Sequence, residues 1–126
     1  MLTNKRILIV EDEWLLADHL AAIVERAGAT ILGPTASVDT TLDLLDRADP
    51  PPDAATLNVR LGDDMSYDVA DRLGAMGVPY VFISANALQN LPGRFHDRPM
   101  LAKPFTDPQV VTALTGLLAT DAPLPT

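Results

Sequence analysis

The chain has 126 residues, a formal net charge of −8, a sequence pI near 4.4 and no cysteine. That length fits one domain of the usual size, about 100–200 residues, and the missing cysteine excludes a disulfide framework, a cysteine nucleophile and a cysteine-based metal site. No basic patch or basic helix is present to meet phosphates, which argues against direct nucleic-acid binding, and no apolar stretch approaches the roughly 20 residues of a membrane span.

The elements follow from the hydrophobic pattern. Met1-Leu2-Thr3-Asn4-Lys5-Arg6 leads into the β-branched run Ile7-Leu8-Ile9-Val10, which reads as a buried strand. The run is too short for a signal-peptide core and acids follow it at once, so a cytoplasmic protein without a membrane anchor is expected. Residues 13–27 place Leu15, Leu16, Leu20, Ile23 and Val24 on one helical face, with Gly28 as the stop. Ala29 to Gly33 reads as a second strand, ended by Gly33-Pro34. Ser37 is the expected N-cap of a helix carrying Val38, Leu42 and Leu45, and Asp49-Pro50-Pro51-Pro52 is a turn that cannot continue it.

Ala54 to Leu57 is a third strand, weak by propensity but required by the alternation, and residues 61–65 form a loop. Ser66 starts a helix with Val69, Leu73 and Met76 turned inward and Gly77 closing it. Tyr80-Val81-Phe82-Ile83 is the fourth strand. Beyond it, Ala87 to Asn90 has room for one helical turn before Pro92-Gly93. Met100 to Ala102 is a short fifth strand. Thr106-Asp107-Pro108-Gln109 has the pattern of a capping box ahead of a last helix reaching about Leu118. The expected organisation is one domain over residues 1–120 and a frayed tail over 121–126, where two prolines break any periodicity. Five strands alternating with helices predict an α/β domain, a doubly wound parallel sheet with helices on both faces.

Such sheets bind ligands beyond the carboxyl ends of their strands. Glu11, Asp12 and Glu13 follow strand one, Asn58 follows strand three, Ser84 follows strand four, and Lys103-Pro104 follows strand five. Acids, an amide, a hydroxyl and an ammonium at one edge suit a hard cation together with a phosphoryl group, since Mg²⁺ takes carboxylate and carbonyl oxygens while Lys and a hydroxyl donate to phosphoryl oxygens.

The segment Ile7 to Glu13, Leu57-Asn58-Val59, Ser84-Ala85 and Lys103-Pro104-Phe105 resemble the receiver domain of two-component response regulators, over roughly residues 5–118. Pro79-Tyr80-Val81-Phe82-Ile83-Ser84 and Gly33-Pro34 are similar to one bacterial receiver subgroup. The resemblance implies a flavodoxin-like sheet of order 2-1-3-4-5. It implies Glu11, Asp12, Asn58 and the Arg60 backbone carbonyl around Mg²⁺, with Asn58, Ser84 and Lys103 at the phosphoryl position and a cis Lys103–Pro104 bond. It also implies partners: a histidine kinase, a phosphotransfer protein or another regulator.

Three departures stand out. Asn58 occupies the phosphoacceptor position, and a neutral amide cannot attack phosphorus and become an acyl phosphate as a carboxylate does. The site therefore loses a negative charge, Mg²⁺ should bind more weakly, and repulsion with Glu11 and Asp12 is relieved. Met100 stands where many receivers carry a switching aromatic, and the segment after Ser84 looks too short for a full helix.

Plainer readings compete. Glu11 and Asp12 suit the positive end of a helix; Asn58 suits a turn; Lys103 alone would be a solvated lysine; Trp14 would suit half-buried packing as well as a partner contact. His19 reads as structural and His96 as part of a polar loop, and neither has the spacing of a metal ligand. The leading function is a stand-alone receiver, not an enzyme, that signals by protein contact through Trp14, Leu15 and Asp18 with its phosphoacceptor role impaired. A homodimer through the last helix and fifth strand stays open. One alternative is an ordinary phosphorylatable receiver in which Asn58 is an introduced substitution. Another is a small phosphohydrolase, although Glu11 and Glu13 stand where such enzymes need aspartates.

Overall fold

A computed structural model describes residues 2–85 and 91–120. The order along the chain is β1 (Arg6–Val10), α1 (Trp14–Arg26), β2 (Thr30–Thr35), α2 (Val38–Arg47), β3 (Ala54–Asn58), α3 (Tyr67–Ala75), β4 (Tyr80–Ser84), β5 (Met100–Ala102) and α4 (Asp107–Thr120). The five strands form one parallel sheet in the order β2-β1-β3-β4-β5. This is the expected α/β architecture and strand order. The expected turn at Ala87 to Asn90 and the tail at 121–126 lie outside the described residues. Between β4 and β5 the described residues form a single 3-10 turn, Gly93–Phe95.

The strand period of two sorts the core into two layers. Ile7, Ile9, Ala54, Val81 and Ile83 turn to the face covered by α1 and α4, where Leu20, Val24, Val110 and Leu114 meet them. Leu8, Val10, Leu57, Tyr80 and Phe82 turn to the other face, under α2 and α3, with Leu45, Val69, Leu73 and Phe95. Ala54-Ala55-Thr56 has modest strand propensity, yet β3 is paired on both sides and wholly buried, so position overrides it. Phe82 sits edge-on to Tyr80 and Phe95, with ring centroids 5.2 and 5.5 Å away. Thr106 and Gln109 form the expected reciprocal cap, the Thr106 amide donating to Gln109 Oε1 at 2.8 Å and the Gln109 amide to Thr106 Oγ1 at 3.3 Å. Ser37 caps α2 as expected, accepting from the Thr40 amide.

Four details differ from the sequence reading. β2 continues through Gly33-Pro34 to Thr35 with a register shift opposite Leu8 to Val10, which an edge strand tolerates because its outer N–H positions need no partner. Gly33 makes this course available: its φ is +84°, and a Cβ there would meet the Thr35 nitrogen at 2.8 Å and the Ile9 carbonyl oxygen at 3.1 Å. Residues 61–65 are not a plain loop, because Arg60–Leu61 pairs antiparallel with Asp64–Met65 around a Gly62-Asp63 turn. Leu15 lies off the buried stripe of α1 at 68 % exposure, and Ala17 takes the inner position. His19, read as structural near that stripe, is exposed and joins α1 to α4 through Asp107, 3.1 Å away.

Candidate functional site

Four strand ends and the turn at Gly62 build the site. β1 delivers Glu11, whose amide donates to the Thr35 carbonyl at 2.9 Å as the chain leaves the sheet. The Glu11 side chain turns inward and is fully buried. Its Oε2 accepts from the Glu13 amide at 3.1 Å and from Asn58 Nδ2 at 2.9 Å. Asp12 Oδ1 accepts from the same Asn58 Nδ2 at 3.3 Å, and Asp12 Oδ2 accepts from the Gly62 amide at 2.8 Å. Asn58 is the buried last residue of β3, in register with Ile83. Ser84 is the buried last residue of β4, and its carbonyl accepts from the Lys103 amide at 2.9 Å. Lys103 Nζ lies 3.5 Å from Glu11 Oε1 and 3.4 Å from Glu13 Oε1, with its side chain 17 % exposed. The Lys103–Pro104 bond is cis. A cleft of about 500 Å³ opens above, lined by Asp12, Glu13, Asn58, Arg60, Ser84 and Lys103 among others.

α1 begins at Trp14 and has no acid in its first turn, so Glu11 and Asp12 are not helix-dipole partners in the plain sense. Burial raises the Glu11 carboxyl above its usual range, against the pull of the Glu13 amide, the Lys103 ammonium and the Asn58 amide. Burial also works against the Asp12 carboxylate, but the Gly62 amide and Glu11 outweigh it and hold Asp12 below its usual range. Two adjacent acids are thus pushed apart in proton affinity, and the amide of Asn58 sits between them.

Solved structures resemble the chain along nearly its whole length. SdrG from Sphingomonas melonis Fr1 is 39 % identical, with a TM-score of 0.80 over 94 % of this chain and 99 % of that one. The PhyR response regulator REC domain of Erythrobacter litoralis is 26 % identical, with a TM-score of 0.83 over 98 % and 97 %. A response regulator receiver protein from Sinorhizobium medicae WSM419 is 25 % identical, with a TM-score of 0.79 over 96 % and 99 %. The chain belongs to the receiver-domain family of response regulators. No family model and no curated protein matches it. Its place is therefore in two-component signalling.

The receiver fold brings Glu11, Asp12, Asn58, Ser84 and Lys103 to one edge, as the strand ends predict. Arg60 stands on the rim, its Nε donating to the Gly62 carbonyl at 3.0 Å. Glu13, which follows strand one with the other acids, reaches Lys103. One participant was not foreseen. Gly62, at φ +62°, aims its amide at Asp12, and the Gly62-Asp63 dipeptide was a legible hairpin signal. Trp14 and Leu15 stand outside the cleft at 72 % and 68 % exposure, with Asp18 exposed on the same helix.

Receivers bind Mg²⁺ at this acidic pocket. The ion needs oxygen lone pairs at about 2.0–2.1 Å. Here both Asp12 oxygens and Glu11 Oε2 already accept N–H donors, while Glu11 Oε1 is buried without a hydrogen bond and has the Lys103 ammonium 3.5 Å away in the place of a cation. Among the described residues no group of three or more His, Cys, Asp or Glu side chains is placed to hold a metal. As arranged, the residues do not fit a divalent cation. Among the described residues, no helix is long and apolar enough to cross a membrane.

Proposed function

We propose that this receiver transmits its signal by protein contact, without phosphorylation at position 58. One observation carries the reading: at the end of β3 the side chain is an amide, and its N–H groups are engaged by Glu11 and Asp12. A nucleophile would have to present a lone pair to the cleft; this group presents donors to the acids below it. It cannot form an acyl phosphate. Ser84 and Lys103 keep the positions from which a phosphoryl group would be held, but no nucleophile at position 58 delivers one. Glu11, Asp12 and Asn58, implied Mg²⁺ ligands together with the Arg60 carbonyl, are engaged with one another, so the ion has no part in this reading.

The partner is a histidine kinase, a phosphotransfer protein or another regulator, and the domain itself turns over no substrate. Trp14, Leu15 and Asp18 are the proposed contact. Large apolar side chains this exposed cost solubility unless a partner covers them, and their place beside the cleft couples contact to the site. A cytoplasmic setting goes with such partners. Transfer from an autophosphorylated kinase of the same genome tests the proposal. Label should stay on the kinase while calorimetry shows that the unmodified chain binds it. Label arriving on the chain contradicts the proposal.

A further inference from the structure

We infer that the Asn58 amide is a built-in substitute for the divalent cation, cross-linking Glu11 and Asp12 so that the pocket is held in one arrangement without metal. The inference rests on the reading of position 58 given above and adds how the acidic pocket is regulated. Two carboxylates from adjacent residues, Glu11 buried and Asp12 at the exposed mouth, repel each other, and a positive or donating group between them relieves that repulsion. A metal-binding receiver does this with an ion. Here Asn58 Nδ2 is the atom in contact with both, 2.9 Å from Glu11 Oε2 and 3.3 Å from Asp12 Oδ1. An ion bridging those same two oxygens would need the space this nitrogen fills.

Most of the remaining lone pairs are also answered by the chain itself; Glu11 Oε1, buried and without a hydrogen bond, has only the Lys103 ammonium 3.5 Å away. The Gly62 amide takes Asp12 Oδ2, the Glu13 amide shares Glu11 Oε2, and Lys103 Nζ stands over Glu11 Oε1 while also pairing with Glu13. Full positive charge comes from Lys103 and directed donors come from Asn58. Asn58 is buried but for its edge on the cleft, which limits competition from water for its N–H groups. Aspartate at this position could do none of this, since it would bring a third negative charge and no donor. The amide therefore does two things at once: it removes the nucleophile and it fills the cation position. A receiver built this way presents the same pocket, and the same rim, whether or not Mg²⁺ is available.

The test is a titration of the ¹⁵N-labelled full chain with MgCl₂ to millimolar concentrations, followed by NMR. The backbone amides of Glu13 and Gly62 and the side-chain NH₂ of Asn58 should not move. In Asn58→Asp the two backbone amides should move saturably, and in Asn58→Ala, which removes the bridge without adding charge, they should also become responsive. Saturable movement in the wild-type chain overturns the inference. So does a silent response in all three proteins, because Asn58 would then not be what closes the site. Intact mass after a phosphodonor, taken on the same wild-type sample, separates the two claims. A Mg²⁺ response without mass gain sinks the cation substitute alone, whereas a gain of one phosphoryl group sinks the proposed function.

Discussion

Replacing Asn58 by aspartate should destabilise the protein in the absence of Mg²⁺, and the structure sets the size. The change deletes two hydrogen bonds to carboxylates, at 2.9 and 3.3 Å. Bonds to charged acceptors contribute about 1.5–3 kcal/mol each. Asp12 is partly solvated, which favours the low end and gives a loss of about 3 kcal/mol. A third carboxylate beside Glu11 and Asp12 adds repulsion, which proton uptake relieves in part. With an m-value of about 1.5 kcal/mol/M, the urea midpoint in EDTA at pH 7 should fall by roughly 2 M. Because the variant's acids bind protons more readily folded than unfolded, its stability should recover as pH falls. Millimolar Mg²⁺ should also restore part of the loss, since an ion bound only to the folded state stabilises it. Urea melts of both proteins, with and without Mg²⁺, measure this. If Asn58→Asp in EDTA matches or exceeds the wild-type midpoint, the amide does not bridge the acids and the site reasoning is wrong.

Other consequences follow from particular side chains. Phe82→Ala removes a fully buried ring wedged between Tyr80 and Phe95, and should cost about 3–5 kcal/mol in urea or thermal melts. Glu11, its carboxyl raised by burial, takes up a proton more readily folded than unfolded; stability should therefore decline as pH rises above 4.5, its ordinary value, towards its folded pKa. Glu11→Gln should flatten that part of the profile of urea midpoint against pH. Trp14→Ala and Leu15→Ala should each leave stability within about 0.5 kcal/mol, as exposed substitutions do, while weakening a partner measured by calorimetry. Equal loss of stability and binding would instead assign them to packing.

Much of the fold could be read from the chain because local and global signals agree. Ile7 to Val10 and Tyr80 to Ile83 are apolar without a break, as strands buried on both faces must be, and Thr106 and Gln109 mark the start of α4 by a pattern with one mechanism. The site was legible for a related reason: a parallel sheet gathers whatever follows its strands, so Glu11, Asp12, Asn58, Ser84 and Lys103 needed only the right strands to be brought together. What was not legible depends on contacts between distant residues. Leu15 is a different case: at about 100° per residue its spacing already puts it well round the helix from Leu16, Leu20, Ile23 and Val24, and Ala17 is buried in its stead. Gly33-Pro34 looks like a stop, yet the edge position of β2 lets the strand run on to Thr35. The pairing of Glu13 with Lys103 joins residues 90 apart in the chain, and the direction of the Asn58 amide is set by two acids 46 and 47 residues away.

The central claim is that position 58 accepts no phosphoryl group although the rest of the pocket is assembled around it. Intact mass after incubation with a small-molecule phosphodonor and Mg²⁺, on the wild-type chain and on Asn58→Asp, tests it most directly. The account predicts no gain on the wild-type chain and a gain of one phosphoryl group on Asn58→Asp. A phosphoryl gain on the wild-type chain, mapped to the residues around the cleft, would contradict it.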